Sequence, residues 1–411
     1  ASRLYFTALE RIGNTYRDFE IPLASSLVGQ NVSTLAGQQM FQSYLTGPLK
    51  SWVAGGAQLV SSAGYDPATA NFMATSQPMG QLGDAQLRVR MAQTQPTYGF
   101  SQHSLPVNMD FALVGQSQTM QFGFGDGASA LSGQPGLSGG ADFQLGRGGA
   151  NPLLGLASGG AYADWRYTPV KNLTVSFGAT DRRSIRDAAL LGPLGLAGGT
   201  NLPGQIYAAD AENFGLDYQA GKSVVLHASL TRLREDSGLL GVQSMQTGML
   251  GDGSSTRSAS FGMDVNVSRT VMLSGSATVA NTDTPASQAL TTAPGGLTST
   301  AAEIAITKSD LFKGDDRVRL TLSKPMQVVA GQVQFTDVGV IDRQTGELGE
   351  VIQTSGVANK TPFAAELFYG RMFDHDSAEA SIFLRAGMNT TQFGSTPQND
   401  YMVGYRYKLA F

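Results

Sequence analysis

The 411 residues include no cysteine, so disulfides and thiolate metal sites are excluded. No run of about 18 apolar residues occurs, so no helix of this chain can cross a bilayer. Charge is also scarce, at 15% of residues, against about 25% in an ordinary soluble domain. The net charge is -4 and no basic block exists, which leaves no electrostatic footprint for nucleic acid. There are only three histidines, His103, His227 and His375. None sits in a His-Gly-Thr context, and no Gly-Thr-Ser run leads into Met-Ala. A serine protease needs an imidazole between its nucleophile and an orienting carboxylate. The chain is therefore read as having no enzymatic chemistry of its own. His227 reads as a residue of a strand's polar face rather than a catalytic base. His375 stands in "DHDS", where an acidic turn fits better than a metal site, because adjacent ligands rarely converge on one ion. Gly123, Gly125 and Gly127 of "GFGDGAS" follow an alternating stretch with no clear helix behind them, a weak phosphate-loop signal. No cofactor and no metal are expected.

Glycine, by contrast, is abundant at 51 residues, and the mean hydropathy is -0.09. That average suits a sheet with one greasy and one polar face, in a membrane barrel or in a large secreted β protein. The strand-like stretches carry the alternation a pleated strand requires. "AYADWRYTP" sets Trp165 and Tyr167 against Asp164 and Arg166. "NLTVSFGAT" sets Val175 and Phe177 against Thr174 and Ser176. "ASFGMDVNVS" sets Phe261 and Met263 against Asp264 and Asn266. The terminal "DYMVGYRYKLAF" sets Tyr401, Val403, Tyr405, Tyr407, Leu409 and Phe411 against Met402, Arg406 and Lys408.

The connections differ in length. "TPVKN", "QAGK" and "SRT" are tight turns, whereas "IRDAALLGPLGLAGGTNLPG" and "NTDTPASQALTTAPGGLTST" are long. Short turns on one side and long loops on the other are the outer-membrane pattern. Mid-strand charges are tolerated on a face that meets a watery lumen. Asp164, Arg166, Arg317, Arg319, Glu366, Arg371, Glu379, Arg385 and Arg406 are the candidate lumen-lining residues. Trp165, Tyr167, Tyr218 and Tyr401 fit an aromatic girdle.

Residues 1–80 read as a separate linker and plug segment. Ala36, Met40, Phe41, Tyr44 and Leu45 recur at helical spacing, which predicts a helix over 34–46. Gln38, Gln39, Gln42 and Ser43 suit a place in or near a wet lumen. Residues 81–411 read as one antiparallel transmembrane β-barrel of about 12 strands. The opening "ASRLYFTALE", without an initiator Met or leader, reads as a fragment or a processed product.

Two sets of residues resemble a known family. Asp316, Ser323, Lys324, Pro325, Met326, Val328 and Gly331, then Glu366, Phe368, Tyr369 and Gly370, then the terminal strand, resemble the C-terminal translocator barrel of subtilisin-like serine protease autotransporters. Tyr16, Arg17, Asp18, Phe19 and Leu23 resemble, more loosely, the linker after the protease. Lys324 departs from the residue usual there, and the loops are long. The resemblance implies a bacterial outer-membrane protein that exports or anchors an N-terminal passenger, expected to be a subtilase. Its partners would be outer-membrane lipid and lipopolysaccharide, the outer-membrane assembly machinery and the passenger. Tyr407, Leu409 and Phe411 would form the assembly signal. A stand-alone porin-like or complex-scaffolding barrel is the alternative, and a secreted β-sandwich or β-helix adhesin a more distant one.

Replacing Phe411 with a polar residue, or removing the last strand, is expected to abolish barrel assembly. Heat-modifiable migration on gels reads the result, and unchanged migration would remove the terminal-signal assignment.

Overall fold

The computed structural model describes residues 5–12, 15–22, 50, 53, 73–82, 85–93, 107–124, 127–132, 151–185, 206–236, 238–243, 252–284, 290–312, 316–342, 347–356, 361–373, 378–390 and 398–409. An N-terminal hairpin pairs β1 (Tyr5–Ile12) with β2 (Thr15–Pro22) as its own two-stranded sheet. The main sheet then begins with β3 (Met73–Leu82), β4 (Ala85–Gln93), β5 (Val107–Val114) and β6 (Gln118–Phe124). Two short helices follow, α1 (Gly127–Leu131) and α2 (Pro152–Leu156). The sheet continues with β7 (Ala161–Val170), β8 (Leu173–Ile185), β9 (Ile206–Gln219) and β10 (Val224–Asp236). A small hairpin, β11 (Gly238–Leu239) with β12 (Val242–Gln243), leads to β13 (Ser254–Asn266) and β14 (Val271–Asp283). After β15 (Leu290–Thr292) come β16 (Leu297–Ser309) and β17 (Asp316–Ala330). The hairpin β18 (Gln332–Asp342) and β19 (Glu347–Gly356) pairs with β15 as a three-stranded sheet. The main sheet ends with β20 (Phe363–Phe373), β21 (Ala378–Thr390) and β22 (Gln398–Leu409).

Among the described residues, fifteen strands form the main sheet, each hydrogen-bonded to its sequence neighbour within that sheet, from β3 to β22. This is the antiparallel β-barrel architecture the alternation predicts, with a wider wall than the expected about 12 strands. The additional strands were hidden by composition. Glycine and glutamine dilute β3 and β6, and in β16 alanines stand on both faces, which flattens the alternation.

Because the order is sequential, successive connections fall at alternate ends. Residues 115–117, 171–172, 220–223 and 267–270 turn at one end. Residues 125–160, 186–205, 237–253 and 331–362 connect at the other. The tight turns close on themselves: Ala220 N–H donates to the Val224 carbonyl at 2.8 Å and Val267 N–H to the Val271 carbonyl at 2.9 Å. Gly221 takes a φ of +85°, a conformation that costs glycine little and most other residues more.

The wall is inside out. Phe177, Phe214, Phe261, Leu320, Leu384 and Val403 are all exposed, Phe261 by 66% and Val403 by 73%. The opposite row is polar and buried, with Ser176, Thr180, Asn213, Thr231, Ser260, Thr278, Thr321 and Ser381 each under 9% exposed. A soluble protein avoids an apolar surface of this extent, whereas a bilayer requires one. Trp165 and Tyr167 stack on the outer face with centroids 5.9 Å apart. Tyr167 and Tyr218 lie beside the short turns and Tyr401 towards the other end, as interfacial rings do.

Leu384→Arg places a charge on the outer row opposite Leu367 and Val403. It is expected to cost about 2–4 kcal/mol in reversible unfolding from lipid vesicles, and an unchanged unfolding free energy would exclude lipid contact there.

Candidate functional site

Two features occupy the polar face. The first is a stopper built from the β6–β7 connection. α2 opens on Asn151 and Pro152, a cap-and-proline start; the Asn151 carboxamide oxygen accepts from Leu153 N–H at 3.3 Å. Ala128 N–H donates to Ser158 Oγ at 3.1 Å, which ties the two short helical segments together. Leu131, Leu153, Leu154 and Leu156 are fully buried in one apolar cluster with Ala128 and Ala157.

The wall grips this stopper through polar side chains. Arg166 donates to the Ala130 carbonyl, and its Nε also contacts Asp164 Oδ2 at 2.7 Å. Asn213 Nδ2 donates to the Leu131 carbonyl at 3.2 Å, and Thr180 Oγ1 to the Ala157 carbonyl at 3.1 Å. Asn151 Nδ2 donates to Thr231 Oγ1, which donates onward to Asn213 Oδ1 at 2.6 Å. Three of these acceptors are carbonyls at the C-terminal ends of α1 and α2, where helices leave acceptors unpaired. A cationic donor such as Arg166 is additionally favoured at that end of the dipole. Asp164, Gly178, Asn213 and Thr231 form one row across β7 to β10, so adjacent strands set the grip in register. Gly178 makes room for the stopper, since a Cβ there would lie 2.8 Å from Leu131 Cγ.

The second feature is a belt of charges closer to the short turns. His227 Nδ1 lies 2.7 Å from Asp217 Oδ1 and its Nε2 lies 3.2 Å from Asp264 Oδ2. The carboxylates bind opposite edges of the ring, so the trio fixes the imidazole rather than converging on one point. Further along, Arg319 meets Glu303 at 3.4 Å and Thr321 at 3.2 Å, and Arg385 meets Glu366 at 3.5 Å. On β10, His227 lies four residues below Thr231, about 13 Å at the strand rise. The belt and the stopper are thus separate levels of one interior.

The lumen candidates separate accordingly. Asp164 and Arg166 belong to the stopper's grip. Arg319, Glu366 and Arg385 belong to the belt. Arg317 shares their row and lies 5.8 Å from the Phe368 ring centroid. Arg371 stands opposite Asp316 at the short-turn rim, on the row of Leu367 and Tyr369, and so on the outward row. Asp316 itself accepts from Leu311 N–H at 2.7 Å and Phe312 N–H at 3.0 Å, and from the Tyr369 hydroxyl at 3.3 Å, which ties down the turn before β17. Glu379 pairs in register with Met372 and Lys408, and Arg406 with Ser381. Tyr407 and Leu409 pair with Ala380 and Ala378, whereas Phe411 and His375 lie outside the described residues. The expected helix over 34–46 also lies outside them; Lys50 and Val53 are helical, Val53 is fully buried, and Lys50 Nζ lies 5.8 Å from the Phe335 ring centroid. The glycines of "GFGDGAS" are followed by helix after all, since α1 starts at Gly127, but its five residues serve the stopper. Alternation places Thr180, Asn213 and Thr231 on the polar faces of their strands but gives no sign that they hold the connection, and Asn151 is signalled only by the Asn-Pro start of α2.

No protein-family model matches this chain, and no curated protein matches it in sequence. Solved structures similar in architecture include a loop L8 deletion mutant of OmpT, an outer membrane protein of Vibrio cholerae, at 11% identity and a TM-score of 0.45, covering 81% of this chain and 88% of that one. The anion-selective porin from Comamonas acidovorans is 10% identical with a TM-score of 0.40, covering 82% of each chain. CdiB from Acinetobacter baumannii is 10% identical with a TM-score of 0.34, covering 82% of this chain and 52% of that one. The inside-out wall and the sorted connections, rather than these distant likenesses, place the chain in the bacterial outer membrane.

Glu303→Leu would strand Arg319, which is only 3% exposed. It is expected to cost about 3 kcal/mol or more, with much of that recovered in the Glu303→Leu/Arg319→Leu double variant. A double-mutant cycle on vesicle unfolding measures it.

Proposed function

We propose that this chain is an outer-membrane anchor and export barrel for a passenger attached before its wall. The observation that carries the membrane role is the wall itself, apolar and exposed outside, polar and buried inside. The passenger role is supported by the resemblance of Asp316, Pro325, Gly331, Glu366 and Tyr369 to autotransporter translocators. It is also supported by the hairpin β1–β2, which forms a sheet separate from the wall and covers most of the linker-like residues. The reading assigns no chemistry, cofactor or metal to the chain. Its partners are membrane lipid and lipopolysaccharide, the assembly machinery that inserts it, and the passenger.

One observation favours the porin-like alternative. The described part of the β6–β7 connection is tied to the wall's polar face by Asn213 and Thr180, an arrangement that needs no passenger.

The two readings separate on whole cells. An epitope placed before Tyr5 is expected to reach the surface of a Gram-negative host and to be removed by external protease. A second epitope within 186–205 reports that the barrel has inserted. Insertion with the first epitope retained in the periplasm would exclude export and favour the porin-like barrel.

A further inference from the structure

We propose that the short-turn rim from β7 to β16 is a docking surface for anionic phospholipid, and that its cations bind the headgroup phosphates of the periplasmic leaflet. The inference rests on the wall's place in the membrane and stands whether or not a passenger is exported.

The rim places a cation in each of three turns that follow one another around the wall. Lys171 stands in the 171–172 turn, Lys222 in the 220–223 turn and Arg269 in the 267–270 turn, and all three are exposed. The sheet order sets these turns two strands apart, about 10 Å at the usual strand spacing. Lys308 adds a fourth cation. It follows the exposed Ile304 and Ile306 on the outer row of β16, yet its Nζ reaches Thr270 Oγ1 of the neighbouring turn at 2.6 Å. A lysine at the edge of a hydrocarbon layer carries its ammonium to the headgroups in this way.

The carboxylates of this arc do not cancel the cations. Asp217 and Asp264 face the interior, where His227 lies between them. Asp310, two residues past Lys308, is the one exposed acid of the arc among the described residues. Asp316 beyond it is engaged by the Leu311 and Phe312 N–H groups. The long-loop rim is different, since its outer rows set Glu212 opposite Arg232 and Asp210 opposite Arg234. Only the short-turn side, which faces the periplasm in barrels of this class, presents cations in excess among the described residues.

The same turns expose apolar side chains, Val170, Val267 and Phe312. A soluble anion offers these nothing to bury against. A phospholipid supplies both halves of the match, phosphate for the cations and its apolar part for the valines, the phenylalanine and the rings of Tyr167 and Tyr218.

Trp165 reports the lipid beside this arc. It lies on the outer face of β7, where the acyl chains of a lipid held at Lys171 pass. Trp52→Phe leaves it as the only tryptophan. The full chain with this change is placed in phosphatidylcholine vesicles, with heat-modifiable migration verifying its fold. Quenching of Trp165 by bromine-labelled phosphatidylglycerol is compared with quenching by bromine-labelled phosphatidylcholine. The anionic lipid is expected to be preferred, by about fivefold for each cation within reach. Lys171→Gln/Lys222→Gln is expected to remove most of that preference, and Arg183→Gln, at the long-loop rim, to leave it unchanged. Inorganic phosphate is expected not to compete. Equal quenching by the two lipids overturns the proposal. So does a preference that survives in the folded double variant or is lost in Arg183→Gln. Competition by inorganic phosphate would assign the cations to a soluble anion and overturn the lipid. Quenching by neither lipid would overturn lipid contact of the wall itself, a separate failure.

Discussion

Every backbone N–H and C=O in a hydrocarbon layer must find its partner within the protein. This constraint governs the rest of the molecule. It selects laterally paired strands, and it makes each strand between β3 and β22 depend on both of its neighbours. With the ladders fixed, side-chain alternation has only two destinations, lipid and interior. Phe177 and Ser176 are adjacent in sequence, yet one is 54% exposed and the other 4%. The same constraint explains why the interior can be so polar. The wall's cohesion comes from its backbone and its lipid contact, so the inner row is free to carry Asp164, His227 and Arg319.

That freedom has a cost, because charges out of bulk water need partners. The interior meets it by register. Strands in antiparallel register bring Glu366 opposite Arg385 and Asp217 opposite His227. The belt is therefore a product of strand alignment, and a one-residue slip of any wall strand would turn its charges toward lipid. The stopper uses the same alignment, since its grip depends on Asp164, Gly178, Asn213 and Thr231 forming a single row.

Much of the wall was legible in the sequence and most of the stopper was not, for a physical reason. Strand period is written in two residues, so four to six positions such as Trp165 to Val170 or Leu320 to Ser323 declare it. Connection lengths declared which ends differ. Helices of five residues span little more than one turn and write no period. Leu131, Leu153 and Leu154 sit among glycines and look like loop residues, although each is almost wholly buried. Arg371 shows a second limit. Charge alone suggests the inner row, but register places it with Leu367, because a rim position can hold a charge beside water on either face.

The strand tally has a consequence of its own. An antiparallel series reverses direction at each step, and among the described residues this one has fifteen members. Its first and last members, β3 and β22, consequently point the same way, both towards the tight turns. Brought directly together they would make the lone parallel junction in the sheet. Any element that joined them in antiparallel fashion would have to supply an odd number of strands. A hairpin has the wrong parity for that, and a second copy inserted in the same orientation offers only edges of the same sense.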